Sequence, residues 1–319
     1  MEFIVSRNSL LRALQHVRCA ITKQEIQVFK HFVFSFDEEK ELMTVHASNG
    51  SVWMEEKVVL DKRPVEPRPI AIYYSDIINP LKSLDEQPLR FEVLEYQVIV
   101  HHSIGSFRLP LYQNASEFFD FKAPAPDVEA DDGWLLEYEA PCLKSVLSRC
   151  NFAMAQDKLR PVLNGVYVNL TDQFSDYVSS DGHKLVRVRK DPVNYSPLFA
   201  GTSFIIPSAV VKTLLKVTPS TGDIDLEYQK ELIKEHTRTV LDGNGRTVKE
   251  NYPVTERRPQ CRIVIDDTLT ISFNPIEGKY PKYWSVIPET HVFKMTVDRK
   301  ALIKSCDRLS IFANQSDLV

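Results

Sequence analysis

The sequence VSRNSLLRAL at residues 5–14 returns twice in altered form, as YEAPCLKSVL at residues 138–147 and as VDRKALIKSC at residues 297–306. In each copy a short run typical of a β-strand leads into a segment whose apolar residues recur at the spacing of an amphipathic helix. The chain therefore contains three copies of one strand-and-helix unit, and this repetition predicts the fold.

The three predicted helices share an apolar stripe, which is weakest in the third copy. It consists of Leu10, Ala13, Leu14 and Val17 in the first copy, of Leu143, Val146, Leu147 and Cys150 in the second, and of Leu302, Ser305, Cys306 and Leu309 in the third. Ser6 and Asp298 precede the first and third helices, and their side-chain oxygens can accept the free N–H groups of a first helical turn. Both residues are therefore predicted N-caps.

A second pair of helical segments recurs at the same spacing as the first pair. Residues 75–81 (SDIINPL) and 208–214 (SAVVKTL) lie 133 residues apart, as do Leu10 and Leu143. Runs rich in Val, Phe, Tyr and Thr predict strands at residues 32–36, 43–46, 89–93, 97–101 and 165–170, and the turns ASNG (47–50) and SSDG (179–182) occupy matching places. The predicted fold class is α+β, with repeated modules of two helices on mostly antiparallel sheets.

The repeat also predicts the domain organisation. Residues 124–133 (PAPDVEADDG) lack periodicity and are rich in Pro, Ala and Asp, which is typical of a linker. We therefore expect one domain at residues 1–125, a second at 134–290, and the start of an incomplete third at 291–319. The second module carries extra polar residues at about 231–260, where DGNG (242–245) indicates a surface hairpin insertion.

Composition places the chain among globular proteins and limits its function. It has 319 residues, 43% of them hydrophobic and 26% charged. No signal-peptide pattern and no apolar run of about 18 residues occurs, so we expect a cytoplasmic protein without membrane contact. The net charge of −4 does not indicate general nucleic-acid binding, although a local basic surface is compatible with it.

The five cysteines predict neither disulfides nor a metal site. They are Cys19, Cys142, Cys150, Cys261 and Cys306, an odd number without C-x-x-C spacing. We expect buried free thiols, and we expect the protein to need no metal and no cofactor.

Three ordered motifs carry a resemblance to a known family. They are RPVLNGV at residues 160–166, SDGHKL at 180–185 and EGKYPKYWSVIP at 277–288. In this order they resemble signature stretches of the bacterial DNA polymerase III beta subunit, the beta sliding clamp. FIVSR at residues 3–7 and RLSIFAN at 308–314 resemble the same family, so the likeness covers essentially the whole chain, with the third domain incomplete.

The resemblance implies a three-domain protomer that pairs head to tail as a homodimer ring around duplex DNA, with helices facing the hole and sheets facing outward. The expected function is that of a DNA replication processivity factor, which tethers the replicative polymerase to DNA. Such a clamp is a subunit of the DNA-directed DNA polymerase III holoenzyme and has no catalytic site of its own. Since the family's third domain contributes to ring closure, the incomplete third module makes a closed ring of this chain doubtful.

A clamp that slides must contact phosphates rather than base edges, and this selects basic residues on the repeat helices. The candidates are Arg12, His16, Lys144, Lys212, Lys216, Lys300 and Lys304. The resemblance adds loops near DNA that match Lys23 and Gln24, and Asp157, Lys158, Leu159 and Arg160. For the helix residues the alternative is an ordinary solvated face opposite the apolar stripe.

The resemblance also implies a pocket for short linear motifs of the DNA polymerase III alpha subunit, the clamp loader and repair proteins. The matching residues are Leu163, Ser180, Gly182, His183, Lys184, Leu185, Pro281 and Val286. The apolar members suit leucine and phenylalanine side chains, and Gly182 allows close backbone approach. The alternative is that Asp181 and Gly182 form only a tight turn and the apolar residues only a core.

Two other classes of function remain open from the sequence. An enzyme would use His183 with Asp181 as an acid–base pair and Cys150 as a nucleophile. A truncated clamp relative would bind clamp partners without encircling DNA.

Overall fold

The computed structural model describes residues 1–22, 25–130, 132–191, 201–241 and 247–312. The chain divides into two compact units, Met1–Tyr280 and Pro281–Val319. Within the described ranges, no helix is long and apolar enough to cross a membrane.

The first module begins with a strand that runs directly into a helix. Its elements are β1 (Glu2–Ser6), α1 (Arg7–Val17), β2 (His31–Phe36), β3 (Leu42–Ser48), β4 (Val52–Val59), β5 (Ile70–Tyr73), α2 (Tyr74–Lys82), β6 (Pro88–Val93), β7 (Gln97–His102) and β8 (Gly105–Tyr112). Each of the four strands predicted in this module is present.

The second module repeats this order and adds two strands. Its elements are β9 (Gly133–Glu139), α3 (Ala140–Asn151), β10 (Gly165–Leu170), β11 (Ser175–Ser180), β12 (Leu185–Lys190), β13 (Thr202–Pro207), α4 (Ser208–Val217), β14 (Asp223–Gln229), β15 (Leu232–Leu241), β16 (Thr247–Arg257), β17 (Gln260–Ile265) and β18 (Leu269–Phe273). Helices α1 and α3 begin 133 residues apart, and so do the 3₁₀ helices Val28–Lys30 and Pro161–Leu163.

Strand order confirms that the two modules have the same topology. The first contains the runs β1-β6-β7-β8 and β5-β2-β3-β4, and the second contains β9-β14-β17-β18 and β13-β10-β11-β12. Neighbouring strands within these runs are antiparallel, for example β1 with β6 and β9 with β14. The predicted α+β fold of repeated modules is therefore confirmed.

Strands β4 and β18 join the two modules into one sheet of twelve strands. They pair antiparallel, with Met54 opposite Ile271 and Trp53 opposite Ser272. One hydrophobic core includes residues of both modules. Met1–Tyr280 forms one compact unit. The linker and the domain boundaries predicted near residues 125 and 134 therefore stay predictions.

The paired helices are buried on one face only, as the apolar stripes predict. Helix α1 buries Leu10, Ala13, Leu14 and Val17 and packs against α2, β3 and β4. Helix α3 buries its own stripe and packs against α4, β11 and β12. The polar faces of these helices remain exposed, so the helices form a layer over the sheets and are not enclosed between them.

Both predicted N-caps are confirmed. The Ser6 hydroxyl accepts a hydrogen bond from the Ser9 N–H at 3.3 Å, and the Asp298 carboxylate accepts one from the Ala301 N–H at 2.7 Å. Each oxygen satisfies an N–H group that a first helical turn leaves without an intrahelical partner.

The predicted insertion is a pair of strands between β14 and β17. Strands β15 and β16 pair antiparallel over their length, which confirms a hairpin. Its DGNG turn at residues 242–245 lies outside the described residues.

The second unit contains the third copy of the repeat. After the 3₁₀ helix Tyr283–Val286, helix α5 (Arg299–Ser310) follows its Asp298 cap. No residue of α5 is buried, so the stripe at Leu302 and Leu309 is solvent-exposed.

The expectation of five buried thiols is partly wrong. All five cysteines are free, and Cys150 and Cys261 are buried. Cys19 and Cys142 are half-buried, and Cys306 is exposed because α5 has no buried face.

Candidate partner-peptide and DNA-contact sites

The loop between α3 and β10, residues 152–164, is held by hydrogen bonds and positions Leu163. We call it the pinned loop. The Asn164 side chain accepts a hydrogen bond from the Asp157 N–H and donates one to the Asp157 carbonyl, both at 2.8 Å. The Ala155 N–H donates to the Leu163 carbonyl at 3.0 Å. These bonds fix both ends of the loop, and Leu163 is buried within it.

The turn between β11 and β12 places Ser180, Gly182, His183 and Lys184. The Ser180 hydroxyl accepts from the Gly182 N–H at 3.1 Å and donates to the Lys184 carbonyl at 2.8 Å. One Asp181 carboxylate oxygen accepts from the N–H groups of His183 and Lys184 at 2.9 and 3.0 Å. These two backbone N–H groups lower the pKa of Asp181 to about 2.

The first module contains the same turn, atom for atom. The Ser48 hydroxyl accepts from the Gly50 N–H and donates to the Val52 carbonyl, while Asn49 accepts from the N–H groups of Ser51 and Val52. Because this equivalent turn belongs to no predicted pocket, the Asp181–Gly182 geometry has a structural role of its own. Gly182 adopts a φ of +92°, which favours glycine.

Arg160 joins the loop to the turn. Its guanidinium lies so close to Gly182 that a Cβ added there would be 3.0 Å from a guanidinium nitrogen. The same side chain pairs with Asp157 at 2.8 Å. The structure thus brings the segment preceding Leu163 into contact with the turn that carries Gly182.

The rim of this surface is exposed and partly aromatic. His183 and Lys184 are exposed, and Leu185 is half-buried at the start of β12. Phe152, at the end of α3, is 63% exposed, and the Lys184 ammonium lies 5.9 Å from the centre of its ring. Sequence reasoning missed Phe152, because an apolar residue at the end of a helix is usually part of the core.

Pro281 and Val286 belong to the second compact unit. Both are exposed, and Val286 ends the 3₁₀ helix Tyr283–Val286. Their participation in one pocket with Leu163 stays a prediction. Six of the eight predicted pocket residues therefore lie in the first unit and two in the second.

The enzyme alternative does not fit the chemistry of its residues. Burial raises the pKa of the Cys150 thiol to about 11, so a reactive thiolate is disfavoured at neutral pH. The Asp181 carboxylate is occupied by backbone N–H groups rather than by an imidazole. In the described ranges, no cluster of three or more His, Cys, Asp or Glu side chains has the arrangement of a metal site.

Two DNA-contact candidates of α1 are held by a buried carboxylate. Glu56 of β4 is buried, and its oxygens lie 3.4 Å from the Arg12 guanidinium and 2.8 Å from the His16 imidazole. Arg12 nevertheless has a side chain that is 61% exposed. Its charge is therefore accessible to phosphate but partly balanced by Glu56.

Lys144 has a local partner. Its ammonium donates to the Thr218 carbonyl, at the end of α4, at 2.6 Å. In the first module Arg7 donates in the same way to the carbonyls of Leu81 and Lys82 at the end of α2. A basic side chain of the first helix thus satisfies the end of the second helix in both copies, and DNA contact by Lys144 stays a prediction.

Lys212 and Lys216 are exposed one turn apart on α4. Burial raises the pKa of the Cys19 thiol, and the positive charges of Lys216 and Arg18 oppose this rise. The charge of Lys216 in the second module therefore acts on Cys19, which follows the end of α1 in the first module.

The remaining DNA candidates are distributed over three places. Lys158 and Arg160 are exposed on the pinned loop, and Lys300 and Lys304 are exposed on α5 of the second unit. Lys23 and Gln24 lie outside the described residues. Arg149 is exposed in the last turn of α3, at the repeat position of His16, and sequence reasoning missed it although the 133-residue offset identifies it.

Comparison with known proteins shows which proteins this chain resembles. Residues 138–254 match the family described as DNA polymerase III beta subunit, central domain. A protein of Chlamydia pneumoniae named beta sliding clamp is 22% identical over 319 residues, which cover 99% of this chain and 75% of that protein.

Solved structures show the same fold. The DNA polymerase III subunit beta of Pseudomonas aeruginosa superposes with a TM-score of 0.73 at 20% identity, covering 99% of this chain and 76% of the other. The Helicobacter pylori beta clamp bound to a DNA ligase peptide gives a TM-score of 0.75 at 17% identity, covering 98% of this chain and 76% of the other.

Proposed function

Because this chain is a relative of the DNA polymerase III beta subunit, we propose that it is a sliding-clamp component that holds duplex DNA without reading its sequence. The observation that carries the proposal is the presence of exposed basic residues on the helices of two modules with one topology. Arg12 lies on α1, Arg149 on the equivalent helix α3, and Lys212 and Lys216 on α4. In such a protein, processivity follows from tethering and requires no catalytic group of the chain.

The electrostatics of sliding favour a modest number of accessible cations. Phosphate contacts are alike at every register of the duplex, so they permit movement along it. A few lysines on a chain of net charge −4 give attraction at one surface without strong general binding to nucleic acid. Lys212 and Lys216 meet this description best, because both are exposed and sit on one helix face.

We further propose that the surface formed by the pinned loop and the β11–β12 turn receives short linear motifs. In the Helicobacter pylori clamp the bound peptide is that of a DNA ligase. For this chain the proposed partners are the polymerase alpha subunit, the clamp loader and repair proteins. Leu163 and Leu185 would contact apolar side chains of the motif.

The DNA proposal is tested by the salt dependence of binding. Replacing Lys212 and Lys216 together by Ala should weaken binding of a fluorescent duplex and make the slope of log K against log salt less negative by ~1.8, since each phosphate contact contributes ~0.9. The measurement is fluorescence anisotropy at several salt concentrations.

Lys40→Ala, in the loop before β3, is the control, because Lys40 is an exposed lysine outside the helix layer; it should change neither the salt slope nor the free energy of unfolding. Lys144→Met should lower the free energy of unfolding by ~1–2 kcal/mol through loss of the bond to Thr218. An unchanged slope in the Lys212/Lys216 variant would contradict the proposed surface.

A second candidate function is binding of clamp partners without encircling DNA. It is favoured by one observation: the pinned loop and the turn lie wholly within Met1–Tyr280, so this part of the peptide surface forms within a single chain. Light scattering separates the candidates. A closed dimer supports encirclement, whereas a monomer that binds partner peptides but not duplex DNA supports the second function.

A further inference from the structure

A small aromatic cavity lies away from the peptide surface and from the helix layer, beside the junction of the two modules. It has a volume of about 170 Å³, and its walls include His46, Trp53, Glu55, Phe118, Phe119 and Phe121. Ser272 of β18 lines it from the second module. Neither the proposed DNA contacts nor the proposed peptide contacts use these residues.

The aromatic wall is a packed cluster with an exposed edge. Phe118 lies edge-to-face with Trp53 at 5.3 Å and with Phe119 at 5.6 Å between ring centres. Phe118 and Trp53 are buried, whereas Phe119 and Phe121 are 46% and 40% exposed. The buried pair fixes the wall, and the exposed pair presents ring surface to an incoming group.

A carboxylate faces this wall. Glu55 of β4 is half exposed, and its oxygen lies 3.5 Å from Nδ1 of His46. Nε2 of His46 lies 2.8 Å from the Ser35 hydroxyl, which holds the imidazole in place. The hydrogen bond from His46 lowers the pKa of Glu55, so the carboxylate is ionised at neutral pH.

The cationic side chains near Glu55 make their close contacts with other groups. Lys57 donates to the Asp267 carbonyl at 3.5 Å, and Arg262 pairs with Glu227 at 2.5 Å. Both act on Glu55 only at longer range, and neither lines the cavity. Among the residues that the structure describes, His46 is the ion-pair contact of Glu55.

The volume of the cavity and the charge of Glu55 together indicate which group can bind there. A cavity of 170 Å³ is smaller than the ~300–1,000 Å³ of sites for drug-sized ligands, so it suits one side chain. An apolar side chain would remove water from Glu55 without giving it a partner. A cation satisfies the carboxylate and is attracted by the ring faces, and a planar guanidinium can do both at once.

We propose that this cavity is a docking site for a single arginine side chain presented by a partner polypeptide. Glu55 pairs with the guanidinium, and Phe119 and Phe121 contact its faces. The site is a second point of attachment on the sheet side of the molecule, independent of the peptide surface around Leu163.

The test follows the indole N–H signal of Trp53 by NMR while the peptide acetyl-Gly-Arg-Gly-amide is titrated into the 319-residue chain. A Trp53→Phe variant identifies the signal. We expect a saturable shift with the arginine peptide, and none with the same peptide carrying citrulline, which keeps the shape of arginine and lacks its charge.

Two variants and one control complete the test. Glu55→Gln should weaken binding by ~10-fold or more, as loss of a charge-assisted pair implies. Phe119→Ala, at an exposed position, should weaken it by about 3-fold. Glu95→Gln, an exposed carboxylate outside the cavity, should have no effect. Equal binding of the citrulline peptide, tighter binding of a phenylalanine peptide, or unchanged binding in Glu55→Gln would overturn the proposal.

Discussion

At the scale of single residues, two neighbouring glutamates serve different ends on the two faces of one strand. Glu56 is buried and holds Arg12 and His16, whereas Glu55, its neighbour on the other face of β4, lines the aromatic cavity. Since successive residues of a strand point to opposite faces, one position in the sequence separates a structural carboxylate from a candidate binding group.

The Asp181 carboxylate makes stability depend on pH. Its pKa is lowered to about 2 in the folded chain, so the stability it contributes is present above the pKa of the unfolded chain, near 4, and is lost as pH falls toward 2. Asp181→Asn should keep the turn, because Asn49 forms the equivalent one, and should remove this dependence.

Urea unfolding of both proteins at pH 7 and at several values between 4 and 2 measures the effect. The stability difference between the wild-type chain and Asp181→Asn should shrink across this interval. A difference that stays constant with pH would show that the carboxylate is not the source.

At the scale of elements, the duplicated turns permit a controlled comparison of structure and function. Gly50 and Gly182 have φ angles of +81° and +92° in turns with the same hydrogen bonds. The turns differ in their surroundings, because Gly50 faces the ring of Phe29 and Gly182 faces the guanidinium of Arg160.

Replacing either glycine by alanine should lower the free energy of unfolding by ~1–2 kcal/mol, the cost of a left-handed conformation for a residue with a Cβ. Only Gly182→Ala should also weaken binding of a clamp-binding peptide, because the new methyl group displaces Arg160. Gly201→Ala is the matched control, since its φ is +91° and no atom of the described residues lies within 4 Å of the added Cβ.

Thermal unfolding gives the first effect and peptide titration the second. If Gly50→Ala and Gly182→Ala impaired peptide binding equally, the turn would have no specific role in the site.

At the scale of the whole molecule, the β4–β18 pairing joins two copies that sequence analysis treats as separate. Pairing of β4 with β18 covers an edge that a single module would leave open. An open edge strand presents unpaired N–H and C=O groups to other chains. The tendency of an isolated first module to associate therefore depends on this one strand pair.

A fragment of residues 1–125 should fold, because its helices and its own strands contain a complete repeat, but it should self-associate. The chain of residues 1–280 should not do so through this edge. Circular dichroism reports folding, and light scattering at micromolar concentration reports association. A fragment that remained monomeric would show that the β4 edge is protected by other means.

The sequence by itself determined the repeat, the helices with one apolar face, the N-caps at Ser6 and Asp298, and the antiparallel strands, because each follows from local periodicity or local hydrogen bonding. It also identified the turn at Asp181 and Gly182. The tertiary structure decided the rest: the β4–β18 junction, the engagement of Lys144 by Thr218, and the meeting of Trp53, Phe118 and Ser272 around one cavity. These contacts join residues at least 65 positions apart, and no local pattern encodes which distant surfaces meet.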